Sequence, residues 1–111
     1  MTQLVSVLIP AHNEAGYIAA CLDALFASDP LPNGMSGEVL VLANGCTDAT
    51  ASLAAAQTVP PHWQLRVFDL PEGNKLKALN AGDAEARGAV LIYLDADVTL
   101  EPELIGQIAT A

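Results

Sequence analysis

Apolar residues along the chain fall into two alternating patterns. Residues 5–9 form a near-continuous aliphatic run, as expected of a strand covered on both faces. Ile18, Cys21, Leu22, Leu25 and Phe26 then follow at i, i+3, i+4, i+7 and i+8, which is one face of a helix. Asn13 stands ahead of that face as its expected N-cap. Pro30, Pro32, Asn33 and Gly34 mark a loop. A second strand is predicted over residues 38–43, with Asn44-Gly45 as a turn and Thr47 as the cap of a helix over residues 48–57. Pro60-Pro61 breaks the chain before a third strand over residues 65–70. Gly73-Asn74 opens a helix over residues 75–87, with Gly88 as its stop. A fourth strand covers residues 89–94. Thr99 is a candidate N-cap for a last helix, with Glu101 and Pro102 in its first turn and Leu104, Ile105 and Ile108 as its apolar face.

Strand, helix, strand, helix is the order of right-handed crossovers. It predicts an α/β domain spanning residues 1–111, a mostly parallel sheet of about four strands with helices on both faces. Such sheets take their ligands beyond the carboxyl ends of the strands, near the point where strand order reverses. His12, Asn13 and Glu14 follow the first strand, Asn44 follows the second, and Asp95 and Asp97 follow the fourth. Three strand ends therefore bring polar groups to one edge.

Asp95-Ala96-Asp97 is the sharpest of these features. Alternate residues of a strand share a face, so both carboxylates can point the same way and share a hard divalent cation such as Mg2+ or Mn2+. The competing reading makes one Asp a turn residue and the other a helix cap. Glu14 suits the first turn of a helix or a ribose lying across the sheet edge. Asn44 suits either the turn or a base edge. Lys75, in the first turn of its helix, opposes the dipole; a phosphate contact would explain it, and so would plain solvation. Asn80 falls mid-helix on the side of Leu76 and Leu79, where a buried amide needs partners. His12 carries no assignment and is expected to be exposed.

Charge narrows the field. With 13 acidic and 4 basic residues the net charge is −9. A nucleic-acid surface needs a basic face, so nucleic acid is excluded as a partner. The same shortage leaves a diphosphate ligand dependent on a bound divalent cation. Cys21 and Cys46 match no metal or redox spacing, which suits a reduced, cytoplasmic setting. No apolar run approaches the roughly 18 residues of a membrane span, and no signal peptide is expected.

In order, residues 9–14, 44–48, 75–82 and 94–97 resemble the N-terminal half of family 2 glycosyltransferases, across nearly the whole chain. The resemblance implies a Rossmann-like GT-A fold and a nucleotide-diphosphate sugar as ligand, with Mg2+ or Mn2+ and inversion at the anomeric carbon. By position it implies that Pro10 and Glu14 lie beside the nucleoside, with Asn13 and Asn44 nearby. Lys75 and Asn80 fall near the donor, Asp95 at the ribose or diphosphate, and Asp97 on the metal. The chain departs from the family at residues 43–48, which read Ala-Asn-Gly-Cys-Thr-Asp where the family commonly has Asp-Asp-Gly-Ser-Thr-Asp, so a uracil preference is not implied. The family's general base and acceptor site belong to a C-terminal half not contained in these residues. The chain alone is therefore expected to bind a donor without transferring sugar, and the parent enzyme to work in the cytoplasm, at the inner face of the membrane if attached. Two competing readings stand beside this one. The first is a self-associating, catalytically inactive α/β module, a homo-oligomer. The second is a nucleotidyltransferase, which residues 10–15 disfavour because they lack a Gly-rich basic loop.

Overall fold

The computed structural model describes residues 3–27, 31 and 34–97. The elements run β1 (Gln3–Ala11), α1 (Ile18–Phe26), β2 (Met35–Asn44), α2 (Thr50–Ala55), β3 (Trp63–Leu70), α3 (Lys75–Glu85) and β4 (Val90–Tyr93). Pro30, Pro32 and Asn33 and the expected last helix from Thr99 lie outside the described residues.

The sheet order is β3-β2-β1-β4, and each neighbouring pair is parallel. From β1 the chain steps outward to β2 and β3, then returns past both to place β4 on the other side of β1. Crossovers of one hand that run in opposite directions put their helices on opposite faces. Accordingly Val5, Val7 and Ile9 of β1 pack with Ile18, Cys21, Leu22 and Leu25 of α1 and Ala54 of α2, while Leu8 packs with Leu40, Leu42 and Ala78 of α3. Strand alternation thus splits one continuous apolar run between two cores. The order reverses between β1 and β4, and that is where a ligand crevice belongs.

Pro10 lies inside the central strand β1, where a missing N–H would ordinarily break the ladder. Leu4 O accepts from Ala89 N and Leu8 O from Leu94 N, so even-numbered residues of β1 face β4. Pro10 shares that parity one step beyond the last of these bonds, and it breaks no pairing.

At the amino ends of the strands, buried Glu38 organises a polar cluster. Its Oε2 accepts from Ser6 Oγ at 2.6 Å and from Arg87 N at 2.7 Å. Ser6 Oγ accepts from Gly88 N at 2.8 Å, and Arg66 Nη1 lies 3.7 Å from Glu38 Oε1. Arg66 also donates to Glu85 O and Glu85 Oε2, both at 2.9 Å.

Several boundaries differ from the sequence expectation. The helix face of α1 is as expected, yet α1 begins at Ile18 behind Tyr17, with no side-chain cap. Asn13 adopts φ 52°, the left-handed region that Asn tolerates, and does not cap the helix. Thr47 does not cap α2 either; α2 spans Thr50–Ala55 and follows Ala49. Asn74 does cap α3, its side chain accepting from Lys77 N at 3.0 Å. The helix stops at Glu85 because Ala86 is extended (φ −67°, ψ 137°), so Gly88 is not its stop. Gly88 answers a different need: a Cβ there would lie 2.5 Å from Ser6 Oγ and 2.8 Å from Leu4 O.

Candidate functional site

A cleft of about 240 Å³ opens at the carboxyl ends of the strands, lined by Pro10, His12, Glu14, Asn44, Lys75, Asp95, Ala96 and Asp97. Beside it two loops, one after β1 and one after β2, are laced together. Asn13 Oδ1 accepts from Thr47 N at 2.8 Å and from Thr47 Oγ1 at 3.4 Å. Glu14 N donates to Thr50 Oγ1 at 3.0 Å, and Ala15 N donates to Asp48 Oδ2 at 3.2 Å. Asp48 Oδ1 accepts from Thr50 N at 3.0 Å and also takes the Thr50 hydroxyl. These bonds favour the carboxylate, the Thr50 hydroxyl most of all, and hold the Asp48 pKa below its usual range. Cys46 Sγ donates to Ala11 O at 3.4 Å. Gly45 makes the turn possible: it has φ 59°, and a Cβ on it would lie 2.4 Å from the Gly73 backbone N.

The wall opposite is the tip of β4 with the start of α3. Burial alternates along it: Leu94 and Ala96 are buried, and Asp95 and Asp97 are exposed. Both carboxylates line the cleft, although they lie past the end of β4, with Asp97 in a turn. Asp95 is not unpartnered, since Lys75 Nζ donates to its Oδ1 at 2.9 Å across the cleft wall. Asp97 makes itself felt in the core beneath. The Cys21 thiol is pushed up from 9.0 to about 11, first by burial and then by the charge of Asp97.

The residues singled out from sequence divide into two groups. Pro10, Glu14, Lys75, Asp95 and Asp97 line the cleft. Asn44 lines it too, but it is buried and its Nδ2 is committed to Ala11 O at 3.2 Å and Leu42 O at 3.0 Å. Asn13 and Asn80 are not among the lining residues; Asn13 braces the loops, and Asn80 is exposed on α3 beside Leu76, itself 69% exposed. His12, left unassigned from sequence, does line the cleft, and its Nδ1 lies 2.7 Å from Asn44 O. The signal available in the sequence was its place two residues beyond Pro10, at a strand end already rich in polar groups.

Asp95 and Asp97 supply hard oxygen donors, and Mg2+ or Mn2+ is commonly held by one or two carboxylates plus phosphate oxygens. The pair fits that role. Among the described residues no group of three or more His, Cys, Asp or Glu side chains is gathered for a metal. A cation here would therefore depend on ligand oxygens to complete its shell.

The model of Glycosyl transferase family 2 matches residues 6–111. The chain belongs to this family. Among curated proteins, the family 2 chain is 37% identical over 94 residues to glycosyltransferase AglE of Haloferax volcanii, covering 84% of this chain and 30% of that protein. Among solved structures it resembles the mannosyltransferase PcManGT from Pyrobaculum calidifontis, in complex with GDP-Man and Mn2+. That likeness has a TM-score of 0.75 and 25% identity, and covers 96% of this chain and 31% of the other. It also resembles glucosyl-3-phosphoglycerate synthase from Mycobacterium tuberculosis, in complex with Mn2+, UDP and glucosyl-3-phosphoglycerate. There the TM-score is 0.69 and the identity 25%, over 93% of this chain and 37% of that one. The family 2 chain thus spans about a third of the length of these relatives, and its four-stranded parallel sheet has the GT-A, Rossmann-like architecture. No helix among its described residues is long and apolar enough to cross a membrane.

Proposed function

We propose that residues 1–111 form the donor-binding portion of a glycosyltransferase, taking a nucleotide-diphosphate sugar together with Mg2+ or Mn2+ for transfer with inversion. One observation carries this reading. The cleft at the switch point is lined by three carboxylates (Glu14, Asp95 and Asp97) and one ammonium group (Lys75). A diphosphate would be repelled by that lining unless a divalent cation entered with it. The solved relatives' ligands, GDP-Man with Mn2+ and UDP with Mn2+, match that requirement.

Asp97, with Asp95 beside it, would hold the cation. Bound there, it supplies Lewis-acid stabilisation of the charge that develops on a departing diphosphate. Lys75 neutralises Asp95 in this structure and stands within reach of a phosphate, to which it can give the same hydrogen bond. Glu14, on the braced loop after β1, offers an acceptor to ribose hydroxyls, and Pro10 gives the nucleoside an apolar floor. An inverting transfer also needs a base for the acceptor hydroxyl, a task that none of these carboxylates is assigned.

Calorimetry of the chain with UDP- and GDP-sugars, with and without Mn2+, tests the reading. Binding should require the metal and be lost in Asp97→Ala. Well-folded protein that shows no metal-linked binding to either nucleotide sugar contradicts it.

A second reading rests on β4, which among the described residues pairs with β1 alone. Its Leu91 and Tyr93 are 39% and 52% exposed. We propose self-association through this edge, which light scattering would reveal as a dimer; a monomer at high concentration rules it out.

A further inference from the structure

We infer that His12 reads the nucleobase of the donor, its Nε2 accepting a hydrogen bond from an N–H on the base edge. The inference rests on the donor-site reading above and adds a specificity-determining residue to it.

The argument starts from the ring's own hydrogen bond. His12 Nδ1 lies 2.7 Å from Asn44 O. A carbonyl oxygen only accepts, so Nδ1 carries the proton, and Nε2 of the neutral ring is left as an acceptor. The same contact fixes where Nε2 points. Nδ1 faces the end of β2, and Gly73 backs the adjoining edge: a Cβ on Gly73 would lie 3.2 Å from Cε1 and 3.3 Å from Nδ1. His12 is exposed and lines the cleft, so with Nδ1 held by Asn44 O, Nε2 is the ring nitrogen left for a ligand there.

The anchors are themselves fixed. Asn44 is 3% exposed, with its Nδ2 bonded to Ala11 O and Leu42 O. Gly73 is held against Gly45, whose turn follows directly on Asn44. The imidazole is thus set before any ligand arrives, which lowers the entropy cost of using it.

The chemistry of the two walls then sorts the donor. Asp95, Asp97 and Lys75 occupy the β4 and α3 side, while His12 and Glu14 occupy the β1 side. On the β1 side both groups are acceptors. A neutral imidazole lone pair and a carboxylate repel phosphate oxygens and suit N–H and O–H donors. Glu14 suits the ribose hydroxyls, and Nε2 suits the imino N–H of a base.

The test uses the chain as it stands. Calorimetry with Mn2+ present compares UDP, GDP and inorganic pyrophosphate on the parent protein, His12→Phe and His12→Gln. Phe keeps a flat ring and removes the acceptor, whereas Gln restores one. For the nucleotide that the parent binds more tightly, His12→Phe should weaken binding roughly tenfold and His12→Gln by less. Pyrophosphate affinity should stay within about twofold in both variants. On the parent, methylation of the imino nitrogen of that nucleotide's base should cost as much as His12→Phe. This last measurement needs no variant to fold. The inference is overturned if His12→Phe leaves nucleotide affinity unchanged, if pyrophosphate affinity falls in step with it, or if the methylated nucleotide binds as tightly as the parent one. A parent protein that binds neither nucleotide nor pyrophosphate with Mn2+ instead removes the donor-site reading, and the role of His12 with it.

Discussion

Each end of the sheet holds a carboxylate facing a cation, and the two pairs are built in opposite ways. At the amino ends, the Glu38 side chain is 0% exposed and Arg66 23% exposed, at 3.7 Å. At the carboxyl ends, Asp95 and Lys75 are 57% and 63% exposed, at 2.9 Å. The shorter pair is the more exposed one. In water, two flexible charged chains gain little from meeting. In the interior, Glu38 cannot lose a partner without stranding a charge that water does not reach. Glu38 accordingly draws in Ser6 and the backbone N–H of Arg87 as well, and it fastens the entry of β4 to β1 and β2. The amino end is committed to structure; the carboxyl end leaves its charges in water, as the proposed donor site requires.

That contrast can be broken first at Glu38. Arg66→Ala leaves the buried Glu38 carboxylate without its cation and should cost about 3–5 kcal/mol, read as a lower urea midpoint. A loss below about 1 kcal/mol would put the two pairs in the same class. Next in size is Asn13→Ala, which removes the brace on Thr47 N at the carboxyl end. It should destabilise by about 0.5–1.5 kcal/mol, and the same melts detect it. Lys75→Ala should stay within about 0.5 kcal/mol in stability yet weaken Mn2+-dependent nucleoside-diphosphate binding by about tenfold. If it unfolds the protein instead, the exposed pair is structural after all.

The smallest effect is on pH dependence. The folded Cys21 pKa is raised from 9.0 to about 11 by burial and then by Asp97, so between those values the folded state binds more protons than the unfolded one. Its stabilising contribution is full below pH 9 and is lost as the pH rises toward 11. Tyr93, raised by its bond to Asp83, acts in the same direction. Alkaline unfolding curves of the parent and Cys21→Ala isolate the Cys21 share: the variant should lose stability less steeply across that window. Asp97→Ala should move the Cys21 titration back down, since the charge of Asp97 is one of its causes.

The apolar periodicity of residues 18–26 made α1 legible, and the face it named is the one that is buried. That Asp95 and Asp97 reach the cleft was legible from their place just past the last strand, since a strand's carboxyl end is a local feature. Asn13 was misread as a cap because its partner, Thr47, is 34 residues away. Only the pairing of Ala11 with Ala43 brings their loops together. His12 was silent for the same cause: its ring is held by Asn44 O, 32 residues away. Glu38 read as an ordinary strand residue, although it holds the far end of the sheet together.

Sequence alone determined the alternation of strands and helices, the buried face of α1, the surplus of acid over base, and the acidic pair just past the last strand. All of these follow from side-chain chemistry and short-range period. Tertiary structure alone decided which polar residues brace loops and which face the cleft. It also decided which carboxylates are exchangeable and which are locked. Those outcomes depend on strand order and register, which bring together groups that no local pattern relates.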